Sequence, residues 1–166
     1  MDDIIIDMMD KGFWNDVSRI YREGIATGNA TFENKVPDWE SWDKAHLKEC
    51  RLIARFGYKV VGWVALSPVS ERKVYSGVAE VSIYVDDHFQ REGVGDMLME
   101  ALIKESEAAG IWTLQAGIFP ENIGSIKLHQ KHGFRPVGAR KNIGWMDDRW
   151  RDVILMERRS NVVGTE

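Results

Sequence analysis

Hydrophobic positions along this chain change period several times, and each change marks an element. Residues 11–26 carry Phe13, Val17, Ile20, Tyr21 and Ile25 at helical spacing, which predicts one amphipathic helix. TGNATFEN is dense in turn residues around Phe32, and Asp38 is placed to cap a second helix running to about Cys50. RLIARF and KVVGWVALSPV flank Gly57-Tyr58 and read as an antiparallel hairpin. After the loop SERKVYS a further strand covers 78–85. A helix over about 94–109 places Val94, Met97, Leu98, Ala101 and Leu102 on one side and stops at Gly110. IWTLQAGIF is the next strand. Asn122 then precedes a short helix ended by Gly133, and a last strand around 150–157 holds WRDVILME. Ile4 to Ile6 allow one early strand.

This order predicts an α/β fold with a mixed, mostly antiparallel central sheet flanked by helices. Antiparallel strands come first, and one parallel crossover runs through helix 94–109. No repeat or linker divides the 166 residues, so 1–166 reads as a single domain. Trp63 and Trp112 sit in strand-like runs and are expected in the core. Net charge is −4 with no run of five like charges, which gives no nucleic-acid footprint. The lone Cys50 cannot form an internal disulfide, and the acidic start MDDIIIDMMD is no secretory signal. No stretch approaches the ~18 apolar residues of a membrane span. A cytoplasmic protein without membrane or nucleic-acid partners is expected.

One junction raises a question. In EVSIYVDDHFQREGVGDMLMEALI a strand passes into a helix across Gly93 and Gly95, where glycine is a poor helix former. A tight corner is one reading. The other is an anion held against the backbone: a helix N-terminus presents free N–H groups, and glycine removes the Cβ atoms that would obstruct the approach. The residues alone leave both open. A dinucleotide fingerprint would need a third glycine where Leu98 stands, and the glycine-lysine-serine or threonine of a P-loop is absent.

YVDDHFQREGVGDMLMEALI resembles the acyl-CoA loop of the GNAT superfamily of N-acetyltransferases, whose signature is glutamine or arginine, two residues, glycine, one residue, glycine or alanine. GIATGNATFE, VYSGVAEVSIYV, GIFPENIGSIKLHQKHGF and WRDVILMERR narrow the resemblance to the phosphinothricin and methionine-sulfoximine N-acetyltransferase branch, over about residues 17–158. The resemblance implies a GNAT-like fold, acetyl-CoA as co-substrate, no metal, a small-molecule amine as acceptor and a homodimer. Backbone at Ile83, Tyr84 and Val85 would hold the pantetheine arm as an added strand. Gln90, Arg91, Glu92, Gly93, Val94, Gly95 and Asp96 would cradle the pyrophosphate. Asn122 would contact the CoA arm, although by its position it reads equally as a helix cap.

Strand alternation puts Glu80, Ser82 and Tyr84 on one face, with Val81, Ile83 and Val85 on the other. A carboxylate in such a strand needs a partner or a strand end. The resemblance assigns Glu80 as the base that deprotonates the acceptor amine, with His129 as second candidate; Tyr84, on the same strand, is placed either to protonate the leaving thiolate or to pack. His129 and His132 lack further ligands at metal spacing. Phe32, Arg72 and Tyr75 match positions lining the acceptor pocket, where a guanidinium suits a carboxylate. Ser70 stands where some phosphinothricin-specific members carry lysine. The alternatives are a GNAT enzyme acetylating protein N-termini or lysines, and a non-catalytic acyl-CoA-binding module.

Overall fold

The computed structural model describes residues 3–166. Its strands are β1 (Ile4–Met8), β2 (Leu52–Phe56), β3 (Lys59–Pro68), β4 (Val78–Val85), β5 (Thr113–Ile118), β6 (Arg135–Met146) and β7 (Arg149–Arg159). They form one seven-stranded sheet in the order β1-β2-β3-β4-β5-β7-β6, with β4–β5 its parallel pair. The helices are α1 (Trp14–Ala26), α2 (Trp39–Ala45), α3 (Val94–Ala108) and α4 (Ile123–Lys131). The α/β sheet with its antiparallel start and parallel crossover through α3 is the architecture expected.

The sheet is covered on both faces. On one, Val17 and Ile20 of α1 and Trp42 of α2 pack with Ile53, Val60, Trp63 and Ala65. On the other, Leu98, Met99 and Leu102 of α3 pack with Ala54, Val61, Val64 and Leu66. β3 is buried from Val60 to Leu66 because it lies between these layers. Covering both faces of β3 with apolar side chains gives the rigid floor from which β4 projects its own alternating side chains.

Two elements and one residue differ from expectation. α2 ends at Ala45 rather than near Cys50, because His46 turns extended. Arg51 then folds back over the helix end, donating to the carbonyls of Asp43, His46 and Leu47 and pairing with the Asp43 carboxylate at 2.7 Å. Strand β6 was not expected at all. It is an edge strand whose residues are nearly all exposed, so it shows no hydrophobic alternation. It pairs with β7 through a turn in which Asp147 and Asp148 both have positive φ. Trp112 is half-buried just before β5 and packs over Gly77, whereas Trp63 is in the core as expected.

The feature that makes a site is the short contact between β4 and β5. They pair only over Val78–Glu80 and Thr113–Gln115. Beyond that rung β4 continues along β3 to Val85, and β5 continues along β7 to Ile118. The facing edges splay apart, leaving main-chain N–H and C=O groups without a strand neighbour on that side.

Candidate active site

The splayed strands open a crevice with two arms. One is a cavity of about 380 Å³. The other is a longer cleft of about 850 Å³ that runs toward the N-terminus of α3. Ala30, Ile83, Tyr84, Asn122 and Ser125 line both, so the arms are continuous.

The long arm is built mainly from backbone. Gly93 sits in the left-handed region (φ 84°) at the N-cap of α3 and offers no side-chain cap, so the first amides of the helix stay open. A Cβ on Gly95 would stand 3.1 Å from a methyl group of Leu128, so close packing of α3 on α4 also requires that glycine. Both readings of the glycine pair therefore have a physical basis: a corner and a bare helix terminus. Ile83, Tyr84, Val85, Gln90, Arg91, Gly93, Val94, Gly95, Asp96 and Asn122 line this arm, and Glu92 does not. Gln90 donates to the Val85 carbonyl at 2.8 Å and ties the loop to the strand end. Arg91, Lys127 and Lys131 bring positive charge to the same walls. Burial works against the Asp96 charge, but His132 at 2.9 Å and Lys131 at 3.1 Å prevail and hold its carboxyl below the usual range. Open amides, missing Cβ atoms and flanking cations suit a pyrophosphate, and the splayed edge suits an extended amide-bearing arm.

The short arm is built from side chains. Glu80 stands at the last paired rung opposite Gln115, whose Nε2 donates to Glu80 Oε1 at 3.1 Å. The carboxylate therefore lies where the strands part, half-buried and lining the cavity. His129 is 2 % exposed and meets Phe134 edge-on. Its Nδ1 donates to the Ser125 carbonyl at 2.7 Å, which leaves Nε2 as the unprotonated nitrogen, buried and without a partner. Burial pushes the His129 pKa down, so the ring is neutral at pH 7. Tyr84 stacks on Trp63 at 4.9 Å and packs on Tyr21 at 5.0 Å. Burial raises the pKa of its hydroxyl well above the ordinary value, so the proton stays on. Phe32 meets Phe119 edge-on at 4.8 Å and packs against Gly144 of β6.

Glu80, His129, Tyr84 and Phe32 thus meet around one cavity, and Arg72 and Tyr75 do not. These two sit on the exposed loop before β4, with the guanidinium over the Tyr75 ring at 5.6 Å, and line neither arm. Asn122 lies at the junction of the arms and also caps α4: its Oδ1 accepts from the Ser125 amide, and its Nδ2 donates to the Asn29 carbonyl. Sequence reasoning passed over Gln115, Arg140, Ile143, Val153 and Leu155, which complete the cavity. It also passed over Arg151, which is buried on the Phe119 ring and donates to Gly28, Asn29 and Glu121. The arginine pins the turn preceding Phe32 against the loop that carries Asn122. The available signal was an arginine at the start of the strand-like run WRDVILME, since arginine is seldom buried unless paired. Burial drives the Cys50 thiol up to about 11, and Cys50 lies outside both arms. Among the described residues no group of three His, Cys, Asp or Glu side chains could hold a metal ion, and no helix is long and apolar enough to cross a membrane.

Residues 14–134 match the family model described as the acetyltransferase (GNAT) family. A Bacillus subtilis (strain 168) protein provisionally named a phosphinothricin acetyltransferase is 35% identical, over 86% of this chain and 90% of its own. The L-methionine sulfoximine/L-methionine sulfone acetyltransferase of Salmonella typhimurium (strain LT2) is 26% identical, over 85% of each chain. A Salmonella typhimurium protein solved with its cofactor acetyl-CoA superposes with a TM-score of 0.87 at 25% identity, covering 95% of this chain and 94% of that one. A bare helix terminus beside a splayed parallel pair, in a chain matched from α1 to the end of α4, places this protein in the GNAT acetyltransferase family.

Proposed function

We propose that the chain transfers acetyl from acetyl-CoA to the primary amine of a small amino acid analogue resembling methionine sulfone, methionine sulfoximine or phosphinothricin. The observation that carries this reading is the position of Glu80 at the parting of β4 and β5, on the wall of the acceptor cavity that opens into the backbone-lined arm. Acetyl-CoA, when bound, supplies the acetyl group as a thioester. The open edge of Ile83, Tyr84 and Val85 would hold its amide-bearing arm, and the α3 terminus with Arg91, Lys127 and Lys131 its phosphates.

An acceptor amine is protonated at neutral pH and must lose a proton to attack. Glu80 takes that proton, directly or through one water, while Gln115 fixes the carboxylate's orientation. His129, neutral and with a free Nε2, is the second acceptor in reach of the cavity wall. Tyr84 keeps its proton and so is no base; its hydroxyl can donate a hydrogen bond to the leaving sulfur. The new N–C bond replaces the C–S bond in one direct transfer, with no cysteine in the crevice to carry an acyl group.

A cytoplasmic location and a homodimer belong to the same reading. The dimer is supported by the β6–β7 hairpin end, where Trp145 (58%) of the edge strand β6 and Trp150 (57%) of β7 are exposed and pack edge-on at 5.2 Å. Sedimentation of the purified chain tests it. The deciding experiment for the activity is acetyl-CoA consumption with amino acids, sulfones, sulfoximines, phosphinothricin, polyamines and peptides as acceptors. Turnover with the amino acid analogues is expected. Turnover confined to peptides would favour protein acetylation, and none with any amine would favour a binding module.

A further inference from the structure

We infer that Arg140 reads an anionic group on the acceptor, and so selects amines that carry a negative charge. This rests on acetyl transfer taking place in the crevice. The acceptor cavity has one carboxylate, Glu80, and no lysine or arginine in its lining other than Arg140. Arg140 has neither a hydrogen bond nor an ion pair among the described residues. Neighbouring cations of the same strand are taken: Arg135 pairs with Glu157, and Lys141 with Asp152 at 3.3 Å. A guanidinium left free beside a cavity has its whole donor fork available to a ligand.

The strand geometry explains why Arg140, exposed on β6, stands on the cavity side. It is registered opposite Val153, and directly opposed residues share a face. Val153 and Leu155 line the cavity, so Arg140 lies on the cavity side of the hairpin. Immediately after it the strand bulges: β6 advances four positions, from 140 to 144, while β7 advances two, from 153 to 151. Asn142 takes a positive φ in the bulge, and its amide donates to Asp152 Oδ1 at 2.8 Å. Asp152 also takes Lys141, which fixes the bulge from the other side of the strand. Arg140 and Ile143, three positions apart, both reach the cavity, which a regular strand would not allow.

The cavity is therefore bipolar, with a carboxylate at the parting of β4 and β5 and a guanidinium on the β6 wall. An amino acid zwitterion fits with its amine toward Glu80 and its carboxylate, or a second acidic head, on the fork of Arg140. A polyamine has nothing for Arg140 to bind and is repelled by it. Arg72 points the same chemistry elsewhere, stacked on Tyr75 outside the cavity.

The test compares L-methionine sulfone with its methyl ester as acceptors for the wild type, Arg140→Ala, Arg140→Lys and Arg72→Ala. A hydrogen bond between charged groups gives the expected size: Arg140→Ala should cut kcat/KM for the acid about 10- to 100-fold, through KM, and leave the ester unchanged. Arg140→Lys should recover part of the loss, because the charge returns without the fork. Arg72→Ala should keep the wild-type ratio of acid to ester. Equal losses for acid and ester in Arg140→Ala, or no loss for either, would overturn the inference while acetyl transfer stands. Collapse of the ratio in Arg72→Ala alone would return the role to the loop. A wild type that acetylates only uncharged or cationic amines would overturn the inference, and one that acetylates no amine would overturn the proposed activity with it.

Discussion

The two arms of the crevice are made of different material. The long arm is main chain: the free edge of β4, the amides at the start of α3 and glycines that expose them. Its parts run from β4 into α3, with the end of α1, the turn after it, and α4 with its preceding loop closing the other side. The short arm is side chain, drawn from the turn after α1, from β4, β5 and α4, and from both strands of the terminal hairpin. The difference follows from what each would hold. A pyrophosphate is recognised by N–H groups and charge, and any added side chain obstructs it. An acceptor is told from its rivals by shape and by placed charges, which only side chains from several directions supply. Changes in the long arm should therefore affect every acceptor equally, and changes in the short arm should discriminate among them.

Glu80 stands in the short arm at the parting of β4 and β5, and its loss is the largest effect expected. Glu80→Gln keeps shape and the partner Gln115 but cannot accept the amine's proton, so turnover near neutral pH should fall by roughly 10²–10⁴. Acetyl-CoA affinity should be retained. The deficit should shrink as pH approaches the acceptor amine's own pKa, because the neutral nucleophile is then present without a base. Measuring kcat against pH at saturating acetyl-CoA, with folding checked, decides it. A near-normal profile would move the base elsewhere.

Gly95→Val tests the long arm and confounds two effects, because the new side chain meets Leu128 as well as the helix terminus. Overpacking alone costs about 1–3 kcal/mol of stability. Adding Leu128→Ala should relieve that part. If backbone approach matters, acetyl-CoA affinity measured by calorimetry should stay weak in the double variant, with every acceptor affected alike. Recovery of full affinity would leave Gly95 as a packing residue only.

Gly144→Val is the counterpart in the short arm. A side chain there collides with the Phe32 ring, which must rotate or withdraw from Phe119. The acceptor KM should rise several-fold, by about 1 kcal/mol on the scale of one aromatic contact. Acetyl-CoA affinity should not change. Steady-state kinetics with both substrates varied separates the two, and a loss of acetyl-CoA binding would break the division between arms.

The contrast also explains what could be read from the residues alone. Local signals were legible: the alternation of Glu80, Ser82 and Tyr84 against Val81, Ile83 and Val85, the glycine pair, and a helix expected over 94–109 that spans Val94–Ala108. Each depends on neighbours within a few positions. Strand β6 was not legible, because an exposed edge strand is held by pairing to β7 and carries no apolar period of its own. With it went Arg140 and Ile143. Resemblance pointed to Arg72 for the guanidinium, on a loop that lies outside the cavity here. The end of α2 was misread for a similar reason, since Arg51 closes it through contacts that form only in the folded chain.

His129 gives the smallest expected effect, and it separates chemistry from stability. If Glu80 is the base, His129→Gln should lower turnover less than Glu80→Gln does. Its clearer signature is in the pH dependence of folding. Burial depresses the His129 pKa below its ordinary 6.5, opposed in part by the Ser125 carbonyl. As pH falls below 6.5 the unfolded chain takes up a proton that the folded chain refuses, so stability declines with falling pH until the folded-state pKa is reached. His46 is depressed in the same direction, by burial and by the nearby Arg51 charge against the opposing Trp42 carbonyl, and contributes to the same window. The carboxyls of Asp86 and Asp96 are held low in the folded state, so their contribution is lost at more acidic pH. Urea denaturation at closely spaced pH values from neutral downward should therefore show a slope that His129→Gln reduces and does not abolish, the remainder belonging to His46. An unchanged slope would mean that the ring takes up its proton equally in the folded and unfolded chains, and burial would then not be what keeps it neutral.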